Sequence, residues 1–248
     1  MPGLAVEDDE GVRHLVFGRP ERRNPLTRPL RAALAQALDE AEADGCPVLL
    51  LRSVPHEPPV FAAGADLGDI GRLSVDEAPA FAEEGQRLFR RLEDFPALVL
   101  AAVDGPCFGG ALDLALACDF LAASPRARFA HPGARLGLVT GWGGTRRLPR
   151  QVGGAPARAA FASGRALGAA EAEALGLVQV LLSAEGQAFE TAARTWAATW
   201  AERLQNQSLE RIGTLKRLLA TARPGAERVE EAALRRWAEE RPSGPPRA

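Results

Sequence analysis

The stretch from Ala97 to Phe120 constrains the fold most, because a short glycine-containing loop joins two apolar segments in it. The unbroken apolar run Leu98–Val103 has the length of a strand buried on both faces, and turn-forming residues follow it at 104–106. A second apolar run begins after Gly109-Gly110 and contains one carboxylate, Asp113. We therefore predict a strand, a tight loop and a buried helix whose first turn is made of glycine.

This loop has a chemical and a structural interpretation. The start of a helix leaves backbone N–H groups unpaired at the positive end of the helix dipole, and glycine lets a negatively charged group approach them. Alternatively, Gly109 and Gly110 only permit close packing, and Asp113 complements the helix dipole at a gain of ~0.3–1 kcal/mol. The stretch by itself leaves both interpretations open.

A second stretch, Val60–Leu67 (VFAAGADL), repeats the order of strand, small-residue loop and helix. Asp66 stands where a helix N-cap is expected, and we favour that role over a catalytic one. One backbone N–H group from each loop can then converge on a single developing oxyanion.

The rest of the chain alternates strands and helices, which predicts an α/β protein. A hairpin is expected over residues 4–17, a helix over 27–43, a strand at 48–51 and a helix over about 75–92. Beyond Pro149 the chain is expected to be mainly helical. The predicted segments there are helices at 155–162, 169–175, 187–204, 209–220 and 227–240, a strand at 178–182 and a frayed tail at 241–248.

Charge, cysteine content and missing motifs exclude several classes of protein. A net charge of -2 indicates no surface for nucleic acid. Cys46, Cys107 and Cys118 have no metal-ligand spacing, so we expect reduced core residues and no metal. The acidic N-terminus and the short apolar runs favour a cytoplasmic protein without a membrane anchor. Serine-hydrolase, zinc-protease and dinucleotide-binding motifs are absent from the sequence.

Four segments together resemble the enoyl-CoA hydratase/isomerase (crotonase) superfamily. They are FAAGADL, AAVDGPCFGGALDLALACDF, FAHPGARLGLVTGWGGTRRLPR and the later LGLV, and they occur in the family's order. The loop from Arg19 to Leu26 is also similar, so the match runs from about residue 12 to residue 182. The resemblance implies a spiral core of ββα repeats over residues 1–185. It also implies a helical region over 186–248 that packs into homotrimers or dimers of trimers.

The resemblance further implies an acyl-CoA thioester substrate, so that coenzyme A arrives with the substrate and no separate cofactor is expected. The family's oxyanion hole falls on the backbone N–H groups of Ala65 and Gly110. Such donors stabilise the charge that appears on the thioester oxygen when an α-proton is removed, when water adds or when CO2 is lost. Loss of one donor raises the barrier by ~2.7–4 kcal/mol.

The acid–base residues depart from the family's pattern. Hydratases of this type use two glutamates, of which the first falls at Asp113 and the second at Gly133, which has no side chain. The isomerase carboxylate has no counterpart among residues 140–142, where Trp142 is expected at a helix start, in the core or in the acyl pocket. Because general acid–base catalysis contributes ~10²–10⁴-fold, we expect ordinary hydration by this lyase-type enzyme to be weak.

Several alternatives stay open for such a site. Asp113 can act as a single base in slow hydration or in a double-bond shift, or it can serve only the structure of its helix. Decarboxylation needs no base, because CO2 leaves by itself. His131 is a candidate proton donor if its segment is extended, and otherwise a hydrogen-bonded loop residue. A catalytically silent acyl-CoA-binding protein is the alternative from another functional class.

For the CoA part of the substrate, the resemblance points mainly to main-chain contacts in two loops and at the glycine pair. The residues concerned are Arg23, Pro25, Ala63, Ala65, Asp66, Leu67, Gly68 and Gly110. The family's basic residue after the Ala-Asp pair is Gly68 here, so part of the nucleotide contact has to come from elsewhere. Trp196 and Trp200 are expected in the core or in a subunit interface.

Overall fold

The computed structural model describes residues 3–219 together with Arg235 and Glu239. Its strands are β1 (Leu4–Asp9), β2 (Val12–Phe17), β3 (Pro25–Leu26), β4 (Val48–Ser53), β5 (Gly64–Ala65), β6 (Leu98–Val103), β7 (Pro106–Phe108), β8 (Phe120–Ala123), β9 (Arg128–Ala130), β10 (Leu167–Gly168) and β11 (Val180–Leu181). Its helices are α1 (Arg28–Ala43), α2 (Leu67–Arg72), α3 (Ala78–Glu93), α4 (Gly110–Ala115), α5 (Gly144–Val152), α6 (Gly154–Ser163), α7 (Ala169–Ala174), α8 (Gly186–Leu204) and α9 (Leu209–Leu219).

Six strands form the main sheet in the order β1-β2-β4-β6-β8-β11. The strands β1 and β2 form the antiparallel hairpin that the sequence predicts, and every later pair in this sheet is parallel. Parallel neighbours need crossover connections, which the helical segments between the strands provide.

The central strands are buried on both faces, because alternate residues of a strand point to opposite sides of the sheet. Leu49 and Leu51 of β4 pack in the larger apolar cluster with residues of α1, α3 and α4. Leu50 and Leu100 pack on the other face with Phe189 of α8. The first helix beyond residue 185 therefore covers one face of the sheet, while the division of the chain at that residue stays a prediction.

A unit of two strands and a helical segment recurs four times within the described residues. The first strand of each unit (β2, β4, β6, β8) lies in the main sheet, and the second (β3, β5, β7, β9) belongs to a small sheet, β3-β5 or β10-β9-β7. A parallel bridge between Ala62 and Cys107 joins the two small sheets. The segments around Ala65 and Gly110 consequently lie side by side.

Most of the predicted elements are confirmed with shifted ends. Helix α1 begins after its N-cap Thr27, and α3 begins at Ala78 rather than near residue 75. Helix α4 is short and ends at Ala115. The predicted helix at 227–240 and the tail at 241–248 lie outside the described residues, except for Arg235 and Glu239. Among the described residues, no helix combines the length and the apolar character that crossing a bilayer requires.

The three cysteines are free thiols in the described structure. Cys107 and Cys118 are buried, and burial raises the pKa of both thiols. Their prediction as core residues is confirmed, while Cys46 is only half-buried.

Candidate active site

A cavity of about 660 Å³ opens where loops of all four repeats meet. Its wall includes most of the residues that the sequence singles out, namely Arg23, Pro25, Ala63, Ala65, Asp66, Leu67, Gly110, Asp113, His131 and Gly133. Gly68 is not part of this wall. Residues that are more than 100 positions apart in the sequence are thus brought around one space.

Main-chain hydrogen bonds hold the loops at the cavity together. Phe108 N donates to Ala62 O over 3.0 Å, and Ala62 N donates to Pro106 O over 3.1 Å. Ala63 N donates to Arg23 O over 2.8 Å, which ties in the first loop as well. These bonds connect the backbones of three repeats without any contribution from side chains.

Glycines allow the N–H groups of Ala65 and Gly110 to come close to each other. Gly64 has a φ of +97°, and a methyl group on its α-carbon would lie 2.6 Å from Phe108 O and 2.8 Å from Gly110 N. A methyl group on Gly110 would in turn lie 3.2 Å from Ala65 N. Because α4 has only six residues, its dipole adds little, and what the structure brings together at this wall is the two main-chain nitrogens.

The indole ring of Trp142 lies beneath Gly110 and closes the cavity on that side. Trp142 is only 2% exposed, and its ring centroid is 5.2 Å from that of Phe81 and 5.6 Å from that of Phe89. Its Nε1 donates to Phe81 O over 3.2 Å, and the Arg31 guanidinium carbon is 5.1 Å from the ring centroid. Trp142 therefore belongs to both the core and the cavity wall.

The carboxylate of Asp113 is fully buried beside the cavity. Thr140 Oγ1 donates a hydrogen bond to Asp113 Oδ2, and His131 Nε2 lies 3.5 Å from Oδ1. A methyl group on Gly144 would collide with Oδ1, so this orientation of the carboxylate depends on glycine at position 144. The sequence gives no direct signal for the contact with Thr140.

The backbone at Gly133 has closed around the missing side chain. Leu138 N donates to Gly133 O over 2.8 Å, and a methyl group on Gly133 would lie 2.8 Å from Leu138 O. It would also lie 3.3 Å from His131 Nδ1. A glutamate therefore does not fit at this position unless the backbone of Leu138 moves.

Two side chains hold the segment 140–142 that carries Thr140. Gln86 Nε2 donates to Gly141 O over 2.8 Å, and Arg147 Nη1 donates to Trp142 O over 2.7 Å. Both donors come from helices, α3 and α5 respectively. The segment that covers Asp113 is thereby fixed to the helical layer.

Glu93 connects this support to a buried cluster of charges. It accepts a hydrogen bond from Arg147 Nη2 over 2.7 Å and another from Arg146. Burial opposes ionisation of Glu93, but the charges and hydrogen bonds of Arg147 and Arg146 outweigh burial and lower its pKa. The carboxylate is therefore ionised at neutral pH and holds Arg147 in place.

A second, charged cleft of about 800 Å³ adjoins the cavity and shares Arg19, Thr27, Asp66 and Phe81 with its wall. Arg72 lines this cleft, and its side chain is 75% exposed. A methyl group on Gly68 would lie 3.6 Å from Arg72 Nη1, so the guanidinium reaches over the position without a side chain. The basic side chain of Arg72 therefore lies beside Gly68, the position at which the family resemblance implies a basic residue.

Two other acidic residues have structural partners. Asp66 caps α2, and its Oδ1 accepts from Asp69 N over 2.9 Å, which confirms the predicted N-cap. Asp119, at the entrance to β8, accepts from Val99 N over 2.8 Å and from Lys216 Nζ over 2.7 Å. It ties α9 to the entrance of β8.

Comparisons with known proteins agree with the resemblance. The family model described as "Enoyl-CoA hydratase/isomerase" matches residues 7–234. A probable enoyl-CoA hydratase of Bacillus subtilis is 35% identical over 205 residues, which are 82% of this chain and 78% of the relative. The crystal structure of enoyl-CoA hydratase from Mycobacterium tuberculosis has a TM-score of 0.79 at 33% identity and covers 96% of this chain and 100% of that one.

The chain also matches part of a much longer protein. The alpha subunit of the fatty acid oxidation complex of Aliivibrio fischeri is 39% identical over 177 residues, which are 70% of this chain but only 26% of that subunit. The likeness to solved structures over nearly the whole chain confirms the predicted α/β fold.

Proposed function

Because the chain belongs to the enoyl-CoA hydratase/isomerase family, we propose that it binds acyl-CoA thioesters and stabilises their enolates with the N–H groups of Ala65 and Gly110. The observation that carries the proposal is the approach of these two N–H groups at the wall of one cavity that also reaches Asp113 and His131. Two fixed donors at a developing oxyanion are the part of such catalysis that depends least on side chains.

Within the family's chemistry, we propose proton transfer rather than efficient hydration. Of the two carboxylates that the family's hydratases use, the site retains only Asp113, with His131 beside it, since Gly133 has no side chain and no room for one. Removing a proton from the α-carbon and returning it to the α- or the γ-carbon needs one proton carrier. Hydration needs a second group that activates water, and that group is missing at position 133.

We further propose that Arg72 supplies the basic contact to the nucleotide phosphates of coenzyme A. A guanidinium offers two parallel donors that match phosphate oxygens. The loops with Arg23, Pro25, Ala63, Leu67 and Gly68 contribute the main-chain contacts that the family resemblance implies. A cytoplasmic location and a homotrimer or dimer of trimers belong to the same proposal.

The experiment is hydrogen exchange at the α-carbon of a saturated thioester. Butyryl-CoA is incubated with the protein in heavy water, and mass spectrometry follows the uptake of deuterium. The proposal predicts enzyme-dependent uptake, together with conversion of a 3-enoyl-CoA to the 2-enoyl isomer and slow loss of crotonyl-CoA absorbance. Tight binding of butyryl-CoA without any uptake would contradict it and favour the silent binder. Release of CO2 from a malonyl-type thioester without uptake into butyryl-CoA would favour the decarboxylase.

A further inference from the structure

Asp113 and His131 form a buried pair of facing polar atoms. Asp113 Oδ1 and His131 Nε2 are 3.5 Å apart, and among the described residues neither atom has a hydrogen-bond partner. Asp113 is 0% exposed and His131 is 7% exposed. A buried polar group without a partner destabilises the folded protein, and catalytic hydrogen bonds are often long before substrate binds. Two such atoms facing each other therefore indicate a pair that closes during the reaction.

The surroundings of Asp113 leave its carboxylate little access to a substrate. Oδ2 is occupied by the hydroxyl of Thr140, and Oδ1 faces His131. The α-carbon of Gly144 lies so close that a methyl group there would collide with Oδ1. The carboxylate is thus enclosed by protein atoms on the sides that a base would have to present.

The other edge of the His131 ring lies beside the cavity. Nδ1 is 3.3 Å from the place of a methyl group on Gly133, and both residues line the cavity wall. The imidazole therefore extends from Asp113 at Nε2 to the cavity wall at Gly133, which lies on the side of Nδ1.

We infer that His131 is the group that carries the proton, and that Asp113 is a positioning residue that acts through it. This inference rests on the proposed function, because it names the acid–base residue of the same site. With the Nε2 proton donated to Asp113 Oδ1, the lone pair of Nδ1 is free to act as a base. A buried carboxylate that orients an imidazole in this way also stabilises the cation that forms.

The proposed chemical step is a proton transfer between the α-carbon of the thioester and His131. The Nδ1 lone pair takes a proton from the α-carbon of the thioester, and the electron pair of that C–H bond forms a double bond to the carbonyl carbon. The carbonyl π pair moves to the oxygen, which the N–H groups of Ala65 and Gly110 stabilise. The imidazolium then returns the proton to the α-carbon, which gives exchange, or to the γ-carbon of an enoyl group, which gives the isomer.

The first test replaces the imidazole. His131→Gln is expected to lower the rate of deuterium uptake into butyryl-CoA by about 100-fold or more, whereas the matched control His56→Gln, in a loop away from the cavity, leaves it unchanged. In His131→Gly, added imidazole is expected to restore part of the rate. Full uptake by His131→Gln together with loss of uptake in Asp113→Asn would make the carboxylate itself the base, which would overturn the inference and leave the proposed function intact.

The second test does not depend on activity. The chain has three histidines, so ¹⁵N NMR of the imidazole nitrogens can assign the ring of His131 by comparison with His131→Gln. The inference predicts that the proton of neutral His131 resides on Nε2, and that Asp113→Asn abolishes this single tautomer. A proton on Nδ1, or a tautomer that Asp113→Asn leaves unchanged, would overturn the inference even in a protein that shows no exchange. Absence of exchange in the unaltered protein would by itself contradict the proposed function.

Discussion

The indole ring of Trp142 lies so close to Gly110 that a methyl group on the α-carbon of Gly110 would be 2.5 Å from both Cε3 and Cζ3. Trp142 cannot retreat easily, because the ring is packed against Phe81 and Phe89 and its Nε1 is hydrogen-bonded. The indole ring therefore leaves no room for a side chain at position 110. This steric requirement for glycine is independent of access to the N–H group of Gly110.

The substitution Gly110→Ala is expected to displace the loop or the indole and to separate the N–H groups of Ala65 and Gly110. We predict a loss of deuterium uptake into butyryl-CoA of about 100-fold or more, the typical effect of removing one oxyanion donor. Gly168→Ala is the matched control, because a methyl group there has no neighbour within 4 Å and the φ of Gly168 is -74°. Equal rates in both variants would argue against a role for this loop.

Arg72→Ala is expected to weaken binding of the CoA nucleotide. We predict a rise in KM for butyryl-CoA of about 10-fold, which corresponds to ~1.4 kcal/mol, with kcat unchanged. The KM for the butyryl thioester of pantetheine, which lacks the nucleotide, should not change. Arg87→Ala serves as the control, since Arg87 is an exposed arginine on α3 that pairs with Glu83. A rise in KM for both thioesters would point to a structural effect instead.

Glu93→Gln is expected to destabilise the protein, because it leaves Arg146 and Arg147 buried beside a neutral group. Breaking a buried ion pair typically costs about 3–5 kcal/mol, which urea unfolding can measure. The pKa of Glu93 is lowered below 4.5 in the folded state, so its contribution is complete above pH 4.5 and disappears as the pH falls through the folded pKa. The two proteins should therefore converge in stability in acid. The exposed Glu171→Gln should have little effect, because surface pairs contribute little.

His14 predicts a separate loss of stability in weak acid. Burial in the sheet, followed by the charges of Arg194 and Arg52, lowers the pKa of His14 from 6.5 to about 4. Between these two pH values the unfolded chain binds a proton that the folded protein does not bind, so stability falls as the pH decreases from 6.5 to 4. The loss amounts to about 3 kcal/mol at most. His14→Gln should remove this component from the pH dependence of urea unfolding, whereas His56→Gln should retain it.

The sequence predicts the elements of this protein well and its side-chain contacts poorly. The apolar run Leu98–Val103 predicts a strand buried on both faces, and Asp66 predicts a helix cap, because both follow from local spacing. The contact of Thr140 with Asp113 joins residues 27 positions apart in the chain, and no local pattern encodes it. Trp142 illustrates the same limit, since only the packed structure places its ring under Gly110.

The position of Arg72 could have been anticipated in part. Gly68 and Arg72 are four residues apart in α2, a spacing that brings side chains to one face of a helix. The direction of the guanidinium towards Gly68, and its pair with Asp69, depend on the folded cleft. Likewise, the facing of His131 and Asp113 requires β9 and α4 to be adjacent, which the repeat order only suggests.

The central claim is that the N–H groups of Ala65 and Gly110 bind the thioester oxygen. A crystal structure with butyryl-CoA tests it most directly, because it locates the carbonyl oxygen relative to both nitrogens. The account predicts that this oxygen lies within about 2.7–3.2 Å of Ala65 N and of Gly110 N, the range of N–H···O hydrogen bonds. A carbonyl oxygen that is bound in the cavity but beyond hydrogen-bond distance of either nitrogen would contradict it.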